Sequence, residues 1–213
     1  MKIVIGIDVG ISTTKIIGIN EEGRVLSPIR IRATDPVTSL YGAFGKYLYD
    51  NKIQLDDVEK VMLTGVGAAY IDKAVYGLPT GKSEEFIANG LGARYETDQK
   101  RMMVVSMGTG TSIVKCDQDS IMHVGGIGIG GGTLQGLSRL LLNTDDIKQV
   151  AALAEHGDLS HINVLISDIS LNPLPGLPMD AIASLFGNAK SDASREDLAL
   201  GLIWMVLQSI CSA

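Results

Sequence analysis

Three glycine-rich segments, each adjoining an apolar strand pattern, constrain most strongly what this chain of 213 residues can fold into. They are the segments 6–10, 108–110 and 125–136, in a chain that holds 25 glycines in all. Fixing glycine costs more chain entropy than fixing any other residue, so clusters of it indicate where the main chain turns sharply or approaches another group closely. We therefore expect several close backbone approaches to a ligand.

The predicted elements around these segments occur in an order that repeats: strand, glycine loop, strand, turn, strand, then helices. In the first half, strands are predicted over 2–8, 14–20, 24–33 and 58–64, with a helix ending at Asn51. In the second half, strands are predicted over 101–106, 112–116 and 120–124. Further helices are predicted over 68–75, 84–95, 130–142, 145–156, 179–188 and 195–211, with Ser83 as the N-cap of the second. The repetition predicts an α/β fold of two lobes with a ligand cleft between them.

Composition and charge exclude several classes of function. The net charge of −6 argues against a nucleic-acid partner, which would require a basic face. Cys116 and Cys211 are far apart and form no C-x-x-C pair, which favours a reducing compartment over a disulfide framework or a zinc site. Neither a signal-peptide pattern nor a long apolar run is present, so we expect a cytoplasmic protein without membrane contact.

The first loop, Asp8-Val9-Gly10-Ile11-Ser12-Thr13-Thr14-Lys15, combines an acid at a strand end, hydroxyl groups and a cation. These groups suit a polyphosphate with its Mg²⁺, because hydroxyls and lysine bind phosphate oxygens while a carboxylate binds the metal or its waters. The alternative is an ordinary polar hairpin in which Asp8 caps the turn.

The second loop alternates Gly108 and Gly110 with the hydroxyl residues Thr109 and Thr111, which also suits a flexible hairpin. The third runs from Gly125 to a helix start, where backbone N–H groups form a ready anion site. It is not a P-loop, because no Gly-Lys-Ser/Thr follows, and its G-x-G-x-x-G match carries no weight in so glycine-dense a run.

Together, the motifs Asp8-x-Gly10…Lys15, Gly108-x-Gly110-Thr111 and Gly125-Gly126…Gly130-Gly131-Gly132 resemble those of the actin-like, sugar-kinase and heat-shock-ATPase superfamily. More narrowly, the segments 124–136, 152–158 and 183–187 resemble the type II pantothenate kinases, so the resemblance covers nearly the whole chain. It implies two actin-like (ribonuclease H-like) lobes, over 1–100 and 101–213, with a nucleotide cleft between them. Family members continue past the position of Ala213, so we expect the second lobe to be incomplete.

The resemblance also implies ATP and Mg²⁺ as cofactors, with Lys15 neutralising γ-phosphate charge and Asp8 helping to organise the metal. The expected ATP contacts are Asp8, Gly10, Ser12, Thr13, Thr14, Lys15, Gly108, Thr109, Gly110, Thr111, Gly131, Gly132, Thr133, Leu134, Gln135 and Ile147, the last on the adenine side.

A kinase of this type needs a general base, because the acceptor hydroxyl loses a proton as it attacks phosphorus. From the residues alone, Glu84 and Glu85 are equal candidates, and either could instead stabilise a helix dipole. The family places a glutamate at a helix start seven residues before a glycine, and Glu85 precedes Gly92 in this way. The resemblance therefore selects Glu85.

The implied activity is the ATP-dependent phosphorylation of pantothenate to 4′-phosphopantothenate, the first step of coenzyme A biosynthesis, by a homodimer that contacts CoA thioesters. Two positions depart from the family pattern: Ser106 stands where the family has Asn, and His123 where it has Arg beside the pantothenate and inhibitor sites. A neutral imidazole pairs less well with anions than a guanidinium does, so we expect both substrate affinity and feedback control to differ.

Three alternatives remain open at the level of sequence. The chain could phosphorylate another alcohol or a sugar, since one fold supports many substrates. It could be an ATP-binding regulator without catalysis. It could also be an ATP-driven activator of a dehydratase or reductase, although the iron–sulfur cluster of such a protein needs clustered cysteines that Cys116 and Cys211 do not provide.

Overall fold

The computed structural model describes residues 2–32, 35–173 and 175–213. The chain divides into two compact units, the first comprising Met1–Val104 with Ile113–Val124 and the second Val105–Ser112 with Gly125–Ala213. This division differs from a single boundary after residue 100 because residues 113–124 pack with the first unit. The assignment of residues 1–100 and 101–213 to two functional lobes stays a prediction.

The first unit is built on a mixed five-stranded sheet. Its strands are β1 (Ile3–Val9), β2 (Thr13–Asn20), β3 (Ile29–Arg32), β4 (Val58–Thr64) and β5 (Thr80–Lys82). They lie in the order β3-β2-β1-β4-β5, with β1–β2 and β2–β3 antiparallel and β1–β4 and β4–β5 parallel. The antiparallel hairpins at one side and the parallel crossovers at the other are typical of the predicted ribonuclease H-like lobe.

One face of this sheet forms the core of the first unit. The N-cap of helix α1 (Pro36–Asn51) is Asp35, whose carboxylate accepts a hydrogen bond from the Thr38 amide. The first helical residue is Pro36, and the fixed φ of proline suits that position. Apolar residues of β1, β4 and α1 are fully buried together: Ile3, Ile5, Ile7, Leu40, Phe44, Tyr47, Val61 and Leu63. Since side chains alternate along a strand, the other residues of β1, including Asp8, face the opposite side.

The helix α2 (Glu85–Thr97) completes the first unit, together with part of a second sheet. That sheet contains β6 (Met102–Met107), β7 (Thr111–Cys116) and β8 (Ile121–Ile127) in the order β6-β7-β8. The division between the units falls within these three strands.

The second unit is mainly helical. Its elements are α3 (Gly131–Leu142), α4 (Ile147–Ala154), β9 (Val164–Leu165), α5 (Ile166–Ile169), β10 (Ile182–Ser184) and α6 (Arg195–Cys211). Its core joins α3, α4 and α6 through Leu142, Val150, Ala154, Ala199 and Leu202. Across the described ranges, none of the helices is both long and apolar enough to span a bilayer.

Several predicted elements differ from the structure. The helix predicted over 179–188 is wrong: this segment forms turns and the short strand β10. Two of its amides bond outside the segment, Phe186 N to Asn163 Oδ1 at 2.9 Å and Asn188 N to Ile162 O, and Phe186 has a left-handed φ of 57°. Tertiary bonds thus override helical propensity here.

Smaller differences occur in the first unit. The helix predicted over 68–75 is replaced by two 3₁₀ turns, Val66–Tyr70 and Val75–Gly77. The predicted third strand shortens to β3, and its last predicted residue, Ala33, lies outside the described residues. Glu84, not Ser83, occupies the N-cap position of α2.

Candidate functional site

The β1–β2 hairpin brings Asp8 and Lys15 together. The two residues are direct partners across the strands, and Lys15 Nζ donates to Asp8 Oδ2 at 2.8 Å. The hairpin closes through Gly10, whose amide donates to Thr13 O and where a Cβ would lie 2.7 Å from that oxygen. Both charged side chains reach solvent, Lys15 being 51% exposed and Asp8 26%. An ammonium held this way can exchange its carboxylate partner for a phosphate oxygen.

The three hydroxyl residues of this loop differ in access. Ser12 is exposed and Thr13 is half-buried, as ligand donors should be. Thr14 is fully buried, and among the described residues its Oγ has no hydrogen-bond partner. Its predicted contact with ATP stays a prediction, and a buried hydroxyl does not favour it.

Glu85, the first residue of α2, shares the electrostatic environment of this pair. Glu85 is half-buried whereas Glu84 is exposed, so burial distinguishes two acids that residue type alone could not rank. Burial raises the pKa of Glu85 above its ordinary value, the negative charge of Asp8 raises it further, and the positive charge of Lys15 opposes the rise. A carboxyl whose pKa is raised in this way binds a proton more strongly than an ordinary glutamate does, which suits a general base.

A cavity of about 490 Å³ within the first unit is lined by Asp8 and Lys15, and by residues on either side of Glu85 in the chain, Ser83 and Ala88. Its polar lining includes Asp8, Lys15, Thr64 and Ser83, and its apolar lining includes Ile17, Ile29, Met62 and Ala88. The cavity was not predicted from the sequence, although the strands carry a signal for it. Five residues alternate with core residues and so lie on the face opposite α1: Asp8, Lys15, Ile17, Met62 and Thr64. The volume and the mainly apolar lining suit a small organic molecule.

The second and third glycine segments pack directly against each other in the second unit. The amides of Gly131 and Gly132 donate to Gly108 O and Thr109 O, each at 2.9 Å. A Cβ on Gly130 would lie 2.8 Å from the carbonyl of Gly110. These glycines are therefore needed for contact between main chains, whatever ligand the loops also bind.

The start of α3 consequently has fewer backbone amides available to a ligand than the sequence indicated. Two of its first amides already have carbonyl partners, which removes them from the predicted anion site. Gly130 N donates to the Thr133 hydroxyl at 3.3 Å, and that hydroxyl donates to Gly128 O at 3.2 Å.

Other predicted ATP contacts have structural roles of their own. Thr111 is 6% exposed and donates to Ile129 O at 2.8 Å. Leu134 packs on the helical core, and the Gln135 amide donates to Asp145 O at 3.4 Å. Ile147 is the half-buried first residue of α4. The contacts of these residues with ATP stay predictions.

The predicted metal residue fits one kind of Mg²⁺ site. In the described part of the chain, no cluster of three His, Cys, Asp or Glu side chains could hold a metal ion. Mg²⁺ bound with a nucleotide needs only one or two carboxylates, because waters and phosphate oxygens complete its octahedron. Asp8 is a solvent-accessible carboxylate beside the candidate base, so its chemistry suits that arrangement.

Comparison with solved structures identifies the fold. The activator of 2-hydroxyisocaproyl-CoA dehydratase from Clostridium difficile, solved with ADPNP, superposes with a TM-score of 0.68 over 99% of this chain and 74% of its own, at 16% identity. The (R)-2-hydroxyglutaryl-CoA dehydratase component A of Acidaminococcus fermentans gives 0.72 over 100% and 77%, at 14% identity. These likenesses confirm the predicted actin-like α/β class.

Comparison with sequences identifies the family. Two Staphylococcus aureus proteins named type II pantothenate kinase, from strains RF122 and USA300, are 32% and 31% identical over 86% of this chain. The chain spans 66% of the length of each, slightly under two thirds. A family model described as Fumble matches residues 93–213, more than half of the chain. The chain therefore belongs to the Fumble family.

Proposed function

We propose that the protein is a kinase that uses ATP to phosphorylate pantothenate to 4′-phosphopantothenate, the first step of coenzyme A biosynthesis. The observation that carries this proposal is the grouping of Glu85 with the Asp8–Lys15 ion pair, in a chain of the Fumble family. The relatives named type II pantothenate kinase support pantothenate as the acceptor.

In the proposed reaction, Glu85 accepts the proton of the acceptor hydroxyl while that oxygen forms a bond to the γ-phosphorus of ATP. The bond from this phosphorus to the bridging oxygen breaks, and ADP leaves. A carboxyl whose pKa is raised by burial and by Asp8 is a stronger base than an ordinary glutamate, provided it is ionised at the working pH.

The charged pair on the hairpin handles the phosphate. Lys15 pairs with γ-phosphate oxygens in place of Asp8, which frees the carboxylate to hold Mg²⁺. The metal, when bound with ATP, neutralises charge on the transferring phosphoryl group. ATP as the donor is supported by ADPNP in the similar dehydratase activator. The remaining contacts are those predicted in the three glycine loops, apart from the Gly131 and Gly132 amides, which already have carbonyl partners, and the buried Thr14 hydroxyl.

The cavity beside Asp8 and Lys15 is proposed to receive the acceptor. The geminal dimethyl group of pantothenate suits the apolar side chains that form most of the cavity wall, Met62 and Ala88 among them, and Thr64 and Ser83 are polar residues of the lining that could meet its hydroxyl and amide groups.

The setting of the reaction is also part of the proposal. A cytoplasmic location agrees with two free cysteines. A homodimer agrees with the partly exposed Trp204 and Leu207 on α6, because aromatic and large apolar side chains favour interfaces. Contact with CoA thioesters follows if the acceptor site also admits the pantetheine arm.

The alternatives considered from the sequence are less well supported. An iron–sulfur activator would need clustered cysteines, whereas Cys116 is buried in β7 and Cys211 ends α6. The relatives described above are named type II pantothenate kinase, and none of them is named as a kinase for another alcohol or as a regulator without catalysis.

A coupled assay of ADP release tests the proposal. Mg-ATP is supplied with pantothenate or with a panel of sugars and other alcohols, and the Glu85→Gln and Glu84→Gln variants are compared. We expect release that requires pantothenate, and a loss of about 10²- to 10⁴-fold in Glu85→Gln alone, the range for removing a general base. Release with another alcohol would reassign the acceptor, and release with none would overturn the kinase proposal.

A further inference from the structure

The helix that carries Glu85 rests on the β7–β8 hairpin along one face. The contacts come from Phe86, Gly90 and Arg94, which are spaced four residues apart and therefore line one side of α2. All of these residues, and the hairpin residues that they touch, belong to the first unit.

Each contact is of a different kind. The Phe86 ring stacks on the His123 imidazole with centroids 4.1 Å apart and planes at 21°. A Cβ on Gly90 would lie 2.6 Å from Ile121 Cγ2, so the helix axis approaches the strand closely there. The Arg94 guanidinium donates to the carbonyl of Ser120 at 3.0 Å.

The first turn of α2 has no side-chain cap. Its N-cap residue, Glu84, makes no capping hydrogen bond, so the first amides lack the side-chain acceptor that usually stabilises a helix start. The contact next to Glu85 on the hairpin face is the Phe86–His123 stack, because the Gly90 and Arg94 contacts lie one and two turns further along. Stacked aromatic rings attract each other, and rings packed this closely limit each other's rotation.

We propose that His123 is a positioning residue: its imidazole, stacked on Phe86, fixes the uncapped first turn of α2 and thereby the orientation of Glu85 beside Asp8 and Lys15. The catalytic consequence rests on the proposed function, whereas the ordering of the turn does not. What the stack needs from residue 123 is a flat ring, which a phenylalanine also supplies and an alanine does not.

Steady-state kinetics and hydrogen exchange test this together, on His123→Ala, His123→Phe and the control Met122→Ala, whose exposed side chain is adjacent on β8. In His123→Ala we expect kcat to fall about tenfold, since small misplacement of a catalytic group is costly, with KM for ATP unchanged. Exchange of the Ala88 amide, which donates to Glu84 O across the first turn, should accelerate in this variant. Both effects should be absent in Met122→Ala and largely reversed in His123→Phe.

The two readouts separate this proposal from the proposed function. If the wild-type chain shows no turnover, the kinase proposal fails, and the exchange data still decide whether the stack orders the turn. Unchanged exchange in His123→Ala overturns the positioning role. A His123→Phe variant as impaired as His123→Ala also overturns it, because the polar atoms of the imidazole would then be what matters.

Discussion

The β1–β2 and β6–β7 hairpins use the same backbone device for different chemistry. Each turns at a glycine directly after an apolar strand, Gly10 in one and Gly108 in the other, and each glycine amide bonds to a carbonyl across the turn. Two residues before the glycine stands Asp8 in the first hairpin and Ser106 in the second, and five residues after it stand Lys15 and Ile113. The first hairpin thus presents an ion pair, and the second has neutral residues at the same positions.

The second hairpin uses its loop for packing instead. Its carbonyls accept the amides that begin α3, and Thr111 bonds to the main chain of the third glycine segment. A glycine-dense segment in a sequence therefore indicates close backbone contact, but it does not show whether the backbone contacts a ligand or another loop.

The largest expected effect comes from neutralising the acid of the first hairpin. Asp8→Asn removes the partner of Lys15 and the proposed metal carboxylate, so we expect turnover to fall by roughly 10²- to 10³-fold, as for other losses of one charge-stabilising group. The measurement is kcat in the ADP-release assay. Asp50→Asn is the matched control, because Asp50 forms a similar 2.7 Å surface pair with Lys46. Equal activities in the two variants would remove the functional distinction between the hairpins.

The packing role of the second hairpin predicts a large effect on stability. In Gly130→Ala the added Cβ would lie 2.8 Å from the Gly110 carbonyl, and backbone atoms cannot easily yield, so we expect a loss of about 1–3 kcal/mol. The φ of Gly130, −178°, is extended backbone that alanine also adopts. A loss of stability would therefore come from the backbone contact and not from a strained φ. Gly128→Ala is the control, since nothing lies within 4 Å of its added Cβ. Urea unfolding measures both, and equal midpoints would refute the packing role.

The sequence predicted those parts of the fold that depend on local patterns. The strand β4 and the helix α6 were predicted with their observed bounds, because the apolar run of β4 and the helical pattern over residues 195–211 are local signals. β5 was missed because Thr80–Lys82 is too short to show alternation and is defined by its pairing with β4. The helix predicted over 179–188 failed because a distant residue, Asn163, determines the local hydrogen bonding.

The same distinction between local and long-range signals applies to the residues of the candidate site. Asp8, Gly10 and Lys15 belong to one contiguous loop, so they could be predicted as a phosphate-binding motif from their residue types and spacing. Glu85 needed a family resemblance, because Glu84 beside it has the same chemistry and only burial separates the two. The cavity could not be assembled in advance, since its walls come from strands brought together by the sheet order.

Two buried threonines offer a smaller test of the comparison. In Thr111→Val, the second hairpin loses a 2.8 Å hydrogen bond and leaves a carbonyl unpaired, so we expect about 1–2 kcal/mol of destabilisation. In Thr14→Val, the first hairpin loses a buried hydroxyl that has no partner among the described residues, so stability should be unchanged or rise by about 1 kcal/mol. Unfolding midpoints decide the matter, and a destabilised Thr14→Val would mean that its hydroxyl has a structural role after all.

The smallest expected effect, a shift in the pH dependence of turnover, tests whether the charges of the first hairpin tune Glu85. A general base must be ionised, so turnover falls as the pH drops through the pKa of Glu85. Lys15 lowers that pKa and Asp8 raises it. The acidic limb of the kcat profile should therefore move to higher pH in Lys15→Gln and to lower pH in Asp8→Asn, measured on the residual turnover of each. Ser106→Ala, at the position matching Asp8 in the second hairpin, should leave the limb in place. Shifts in the same direction for both charge variants would show that the limb reports something other than Glu85, because opposite charges cannot move one carboxyl's pKa the same way by Coulombic interaction alone.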